Sequence, residues 1–167
     1  VKYRIGAGSK LVVQARSGVH DTSTTWSAVT GEVEADPETF GETAATAVLT
    51  IDMTQFDAGD WLKNRKLRKD FDLDGHPRAT FTLTSLPDIM PTADGPFRVT
   101  AHGVLAWRGH SVPLVVKGNG VLEPRRLRAV GTCELDIRQL GLAAPRFLLW
   151  KVEDVVMVAV TLEGTPA

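Results

Sequence analysis

Between Phe97 and Trp107, apolar or small side chains occupy every second position: Phe97, Val99, Ala101, Gly103, Leu105 and Trp107, opposite Arg98, Thr100 and His102. Strict period-2 alternation of this length describes a half-buried antiparallel strand, with one face on a core and the other in water. Arg108-Gly109-His110-Ser111 interrupts the pattern and Val112 to Val116 resume it, so the segment reads as a hairpin. Pro113 falls near the start of the second strand, where a missing ladder donor is tolerated.

The same signature recurs along the chain. Strands are expected over 3–17, 26–35, 44–53, 79–86, 97–107, 112–122, 127–137 and 154–163, separated by turn signals such as Asp36-Pro37, Ala93-Asp94-Gly95-Pro96 and Gly118-Asn119-Gly120. About eight short strands is the number that closes a small barrel. One segment departs from the pattern: 57–69 is rich in helix formers, with Asp57 as an N-cap, Asp60 in the first turn, basic residues toward the end, and Phe56, Trp61 and Leu67 as a partial apolar stripe. A shorter helical turn is expected after Gln139, with Pro145 stopping the local ladder. The fold expected is therefore all-β, an antiparallel barrel of about eight strands with one short helix. At 167 residues it fits a single domain over 1–167.

Charge and cysteine content narrow the function. Nineteen basic against twenty acidic residues leave a formal net charge of -1, so no global attraction to nucleic acid is expected and nucleic acid is not a predicted partner. Cys133 is the single cysteine, which rules out an intrachain disulfide or a thiolate metal cluster. No apolar run approaches the roughly 18 residues of a spanning helix, so no integral membrane segment is expected. The chain is read as soluble: cytoplasmic if it is complete, periplasmic or secreted if a leader was removed before Val1.

The order of residues in the hairpin carries a further signal. Val99-Thr100, Gly103, Leu105, Gly109, Pro113-Leu114 and Val116 resemble the signature hairpin of the YceI-like family. Other blocks are similar in the family's order: Tyr3-Arg4-Ile5, with Gly6 where the family has aspartate; Gly18-Val19-His20-Asp21 before Gly31-Glu32-Val33, with Val19 inserted and Thr22 replacing a second histidine; Leu67-Arg68, Asp70 and Pro77 through Phe81; and Leu140-Gly141-Leu142, Pro145 and 151–155. The resemblance implies a lipocalin-like barrel that binds polyisoprenoids or other long-chain amphiphilic lipids, without catalysis and without a cofactor.

Such a barrel needs an apolar lining. Alternation places Phe81, Leu83, Phe97, Val99, Leu105, Trp107, Leu114, Val116, Leu135, Ile137, Val158 and Val160 inward as candidate ligand-binding residues, with Ala101 and Gly103 leaving space beside them. Burying a prenyl chain is worth about 0.8 kcal/mol per methylene, so roughly ten carbons supply about 8 kcal/mol, micromolar before ordering costs. Alternation alone is equally consistent with a filled core, the barrel then serving as a structural or protein-interaction module. An apolar outward strand face leaves open both a homodimer and a face covered by the helix.

Lys63, Arg65, Lys66 and Arg68, with Lys69 beside them, form a basic cluster that suits a pyrophosphate head group or an anionic bilayer, or else a solvated helix face partly neutralised by Asp60, Asp70 and Asp72. Asp70-Phe71-Asp72-Leu73-Asp74-Gly75 matches the first half of a calcium loop, but Phe81 stands where the bidentate glutamate belongs, so an acidic turn is the reading preferred. His20, His76, His102 and His110 occur singly, without metal-ligand spacing. Cys133 reads as a small buried apolar group. No Gly-x-Ser-x-Gly elbow or phosphate-binding loop occurs, and Ser111 beside His110 is only a sequential neighbour.

Overall fold

The computed structural model describes residues 1–17, 21–41, 44–91, 96–143, 146–147, 150–151 and 153–167. The elements are β1 (Lys2–Ile5), β2 (Lys10–Arg16), β3 (Asp21–Trp26), β4 (Val29–Glu34), β5 (Thr46–Asp52), β6 (Phe56–Asp57), α1 (Trp61–Asp70), β7 (Arg78–Pro91), β8 (Pro96–Trp107), β9 (His110–Glu123), β10 (Arg126–Asp136), a 3-10 turn (Ile137–Leu140), β11 (Arg146–Phe147), β12 (Trp150–Lys151) and β13 (Val155–Pro166). Each strand of the main sheet pairs antiparallel with its neighbours in the order β1-β4-β5-β7-β8-β9-β10-β13, and β13 returns to β1, closing an eight-strand barrel. Closure gives every one of these eight strands a partner on both sides, while β6 pairs with β3 alone among the described residues.

Three of the staves are broken rather than straight. β1 and β2 run end to end along β13, but Ile5 faces Gly164 while Lys10 faces Thr161, so four residues oppose two. The continuous strand expected over 3–17 is thus split by a bulge at Gly6–Ser9. Ser9, a buried polar side chain, ties the bulge to β13: it donates to Glu163 O at 3.3 Å and accepts from Glu163 N at 2.9 Å. β3 and β4 form a second broken stave, and β5 and β6 a third. β3 was not expected, because Asp-Thr-Ser-Thr-Thr has no apolar alternation; it is held by pairing with β2, and its threonines suit an extended backbone.

The hairpin that dominates the sequence has a two-residue turn at Arg108-Gly109, with φ of 55° and 76°. Positive φ at both positions is the type I′ geometry that matches strand twist. The cost of a non-glycine at Arg108 is offset by its guanidinium, which donates to Phe71 O at 2.5 Å and to His76 Nδ1 at 3.3 Å. Trp107 Nε1 donates to His76 O at 2.8 Å, so the hairpin tip clamps the segment that follows α1.

Two other expectations change. Gly118-Asn119-Gly120 is no turn: β9 runs through it to Glu123, and the reversal falls at Pro124-Arg125. These glycines mark close approach, since a Cβ at Gly118 would lie 2.1 Å from Val130 O and one at Gly120 would lie 2.4 Å from Arg128 O. The helix is capped by Asp60, whose Oδ1 accepts from Lys63 N at 2.8 Å, while Asp57 accepts from Gly59 N; of the expected stripe only Leu67 is buried on α1, and Trp61 faces outward. The second helical turn is the 3-10 segment Ile137–Leu140, ended by Gly141 at φ 73°, slightly earlier than expected. The Ala93-Asp94-Gly95 turn, Gly18-Val19-His20 and Pro145 lie outside the described residues.

α1 and the 3-10 turn sit at the barrel end where β5 and β6 finish and β7 begins. Leu67, Phe71, Leu73, Ile137, Leu140 and Leu142 join Trp26, Met53, Trp107 and Val112 in the core there.

Candidate functional site

Inside the barrel is a cavity of about 290 Å³. In the same measure one water needs about 10–15 Å³, so the space is many times what a stray solvent molecule would fill. A filled core would have side chains meeting across the axis; here the axis stays open over part of its length.

The space has a simple origin in the sequence. The inward positions of β8 and β10 include Ala101 and Ala129, whose small side chains line the cavity; Gly118 and Gly131 line it too, but there strand backbone and Val116 take the place of a Cβ. Gly103 does not contribute as expected. A Cβ there would lie 2.1 Å from Phe81 Cζ, so the Phe81 ring already occupies the room that glycine leaves.

All twelve residues placed inward by alternation border the cavity: Phe81, Leu83, Phe97, Val99, Leu105, Trp107, Leu114, Val116, Leu135, Ile137, Val158 and Val160. Others went unnoticed in the sequence. Ala47, Leu49 and Ile51 alternate on β5 and were legible; Trp26 ends a Ser/Thr run, and Phe40 comes from a segment without periodicity. Phe40 meets Phe97 edge to face, with ring centroids 4.9 Å apart.

The lining is chemically quiet. Its two indoles turn their polar ends away, Trp26 Nε1 to Met53 O at 3.3 Å and Trp107 Nε1 to His76 O. Burial pushes the Cys133 thiol up to about 11, which keeps it neutral and leaves it an apolar wall element. Among the described residues, no carboxylate, ammonium, guanidinium or imidazole is part of the lining. Such a surface can exchange water for hydrocarbon.

The basic candidates lie on α1, outside the lining. Arg68 pairs with Asp74 at 2.7 Å, donates to Thr54 O at 2.9 Å and covers the Phe56 ring; Lys66 pairs with Asp70 at 2.8 Å. Lys63 and Arg65 have no ion-pair partner among the described residues. The acidic turn is likewise engaged in its own structure, with Asp72 Oδ1 accepting from Gly75 N at 3.2 Å. Among the described residues no three His, Cys, Asp or Glu side chains converge as metal ligands, and no helix is long and apolar enough to cross a membrane.

Comparison with known proteins agrees with this architecture. The barrel superposes on the crystal structure of Burkholderia cenocepacia BcnA with a TM-score of 0.74 at 24% identity, covering 94% of this chain and 96% of that one. It is also similar to a polyisoprenoid binding domain from Saccharophagus degradans implicated in plant cell wall breakdown, with a TM-score of 0.76 at 16% identity over 99% and 98% of the two chains. A Campylobacter jejuni YceI protein matches at a TM-score of 0.64 and 14% identity, over 86% and 84%. No curated protein sequence matches the chain. The model of the YceI-like domain matches residues 3–164, and the chain therefore belongs to the YceI-like domain family.

Proposed function

We propose that this protein binds an amphiphilic isoprenoid lipid, such as a polyprenyl phosphate or an isoprenoid quinone, in the barrel cavity and carries or sequesters it without chemical change. The observation that supports this reading most is the apolar cavity of about 290 Å³, whose lining among the described residues carries no charged side chain. An unpaired charge there would be costly, whereas a hydrocarbon tail gains about 25 cal/mol for each Å² of apolar surface it withdraws from water. Phe97, Val99, Leu105 and Trp107 on β8, with the other lining residues named above, hold the tail. Lys63 and Arg65 on α1 are the candidate contacts for an anionic head. The binding of polyisoprenoid by the Saccharophagus degradans domain, which shares the fold, supports the same class of ligand.

The test is organic extraction of the purified protein followed by mass spectrometry, with titration of a fluorescent prenyl probe alongside. A copurifying isoprenoid, or micromolar probe binding, is the expected result. Repeated recovery of no lipid together with absence of probe binding removes the proposal.

A further inference from the structure

On α1 the large apolar side chains that should be buried are outside: Trp61 is 67% exposed and Leu62 62%. At about 100° per residue, Trp61, Leu62, Arg65 and Lys69 share one arc, opposite the buried Leu67. Asp70, the one carboxylate within α1, lies beyond this arc and is neutralised by Lys66 at 2.8 Å. The outward face therefore combines two bulky apolar groups with two cations that have no ion-pair partner among the described residues. Acidic residues flank the helix at both ends, so the positive character belongs to this arc and not to the whole segment.

That combination selects among occupants. A second copy meeting the patch about a two-fold axis would set Arg65 and Lys69 against their own equivalents, a like-charge contact. A bilayer surface rich in anionic head groups satisfies both halves at once, indole and leucine entering the interface while the cations meet phosphate. The opposite face of α1 reinforces the choice, because Leu67 and the C-capping Phe71 pack into the barrel core, and Phe71 borders the cavity. We propose that α1 docks the barrel onto anionic membranes through Trp61, Leu62, Arg65 and Lys69. For what docking achieves, transfer of a lipid between bilayer and cavity, the inference rests on the lipid-binding reading; docking itself does not require it.

Co-sedimentation of the full chain with vesicles of phosphatidylcholine alone, and of phosphatidylcholine with phosphatidylglycerol, tests the inference. The protein is expected to sediment with the anionic vesicles only, and less at high salt. W61S/L62S and R65E/K69E should each weaken that binding roughly tenfold or more, while W61S/L62S leaves prenyl-probe affinity unchanged. These side chains are exposed, so both variants should melt like the parent; should one fail to fold, the other still decides. Failure of the parent to bind anionic vesicles, or a variant that binds like the parent, overturns the proposal. So does a dimer in sedimentation velocity that W61S/L62S dissociates, which would assign the patch to a second copy. Loss of probe binding with vesicle binding intact would instead remove only the cargo reading.

Discussion

Gly103 and Gly118 are both glycines on inward strand positions, and each admits a different neighbour. At Gly103 the ring of Phe81 fills the place of the missing side chain, whereas at Gly118 the backbone of β10 does, with Val130 O 2.1 Å from where a Cβ would stand. Gly103→Ala therefore forces Phe81 off its position and should destabilise the protein by about 1–3 kcal/mol, the usual cost of overpacking, read from the urea midpoint. An unchanged midpoint would show that Phe81 has another place to go. Cys133 gives a second residue-scale prediction. With its thiol pushed up to about 11, only on the order of one molecule in a thousand carries thiolate at pH 8, so a disulfide reagent should label the native protein far more slowly than the denatured one.

At the scale of elements, short polar turns decide where staves break. Between β5 and β6, Asp52 accepts from Thr54 N at 3.0 Å, Thr54 Oγ1 at 2.6 Å and Gln55 Nε2 at 3.0 Å. The Thr54 hydroxyl first, and then its amide, hold the Asp52 carboxyl below the usual carboxylate range. A depressed folded-state value means the contribution is complete above the unfolded value, near 3.9, and is lost as pH falls through the folded one. Asp52→Asn, which keeps the shape and removes the charge, should lower the melting temperature at neutral pH, with the gap closing in acid below about pH 4. A gap independent of pH would mean that hydrogen-bond geometry, not charge, holds the turn. The Asp60 cap shows how such detail escapes a sequence reading: Asp57 and Asp60 both precede helix formers, and only backbone geometry decides which one caps.

Across the whole molecule, the closed ring converts alternation into an enclosed interior. Ala101 stands on that interior face, bordering the cavity. Ala101→Phe should fill part of the space and weaken prenyl-probe binding tenfold or so, while far-UV circular dichroism and cooperative melting persist, since an existing void accepts the ring with less strain than a packed core. Parent-like affinity in a folded Ala101→Phe variant would place the ligand elsewhere. Eight-strand closure also explains why twelve inward positions could be named from the sequence: in a barrel every residue of one parity on a stave faces the same interior. The head-group cluster was less legible. Partial neutralisation by Asp60, Asp70 and Asp72 was expected, but only folding decides that Lys66 takes Asp70 and that Arg68 takes Asp74 instead.

The sequence by itself determined the fold class, the hairpin from Phe97 to Val116, the parity of the lining and the family, because alternation, turn chemistry and residue order are local or additive along the chain. Tertiary structure alone decided that Phe81 takes the room at Gly103, that Gly118-Asn119-Gly120 continues a strand, that Gly6–Ser9 is a bulge, and that Trp61 faces out. Each of these depends on what a residue meets across the barrel or beyond it. Whether an inward face encloses space depends on the volumes of side chains from distant strands, which one-dimensional periodicity does not contain.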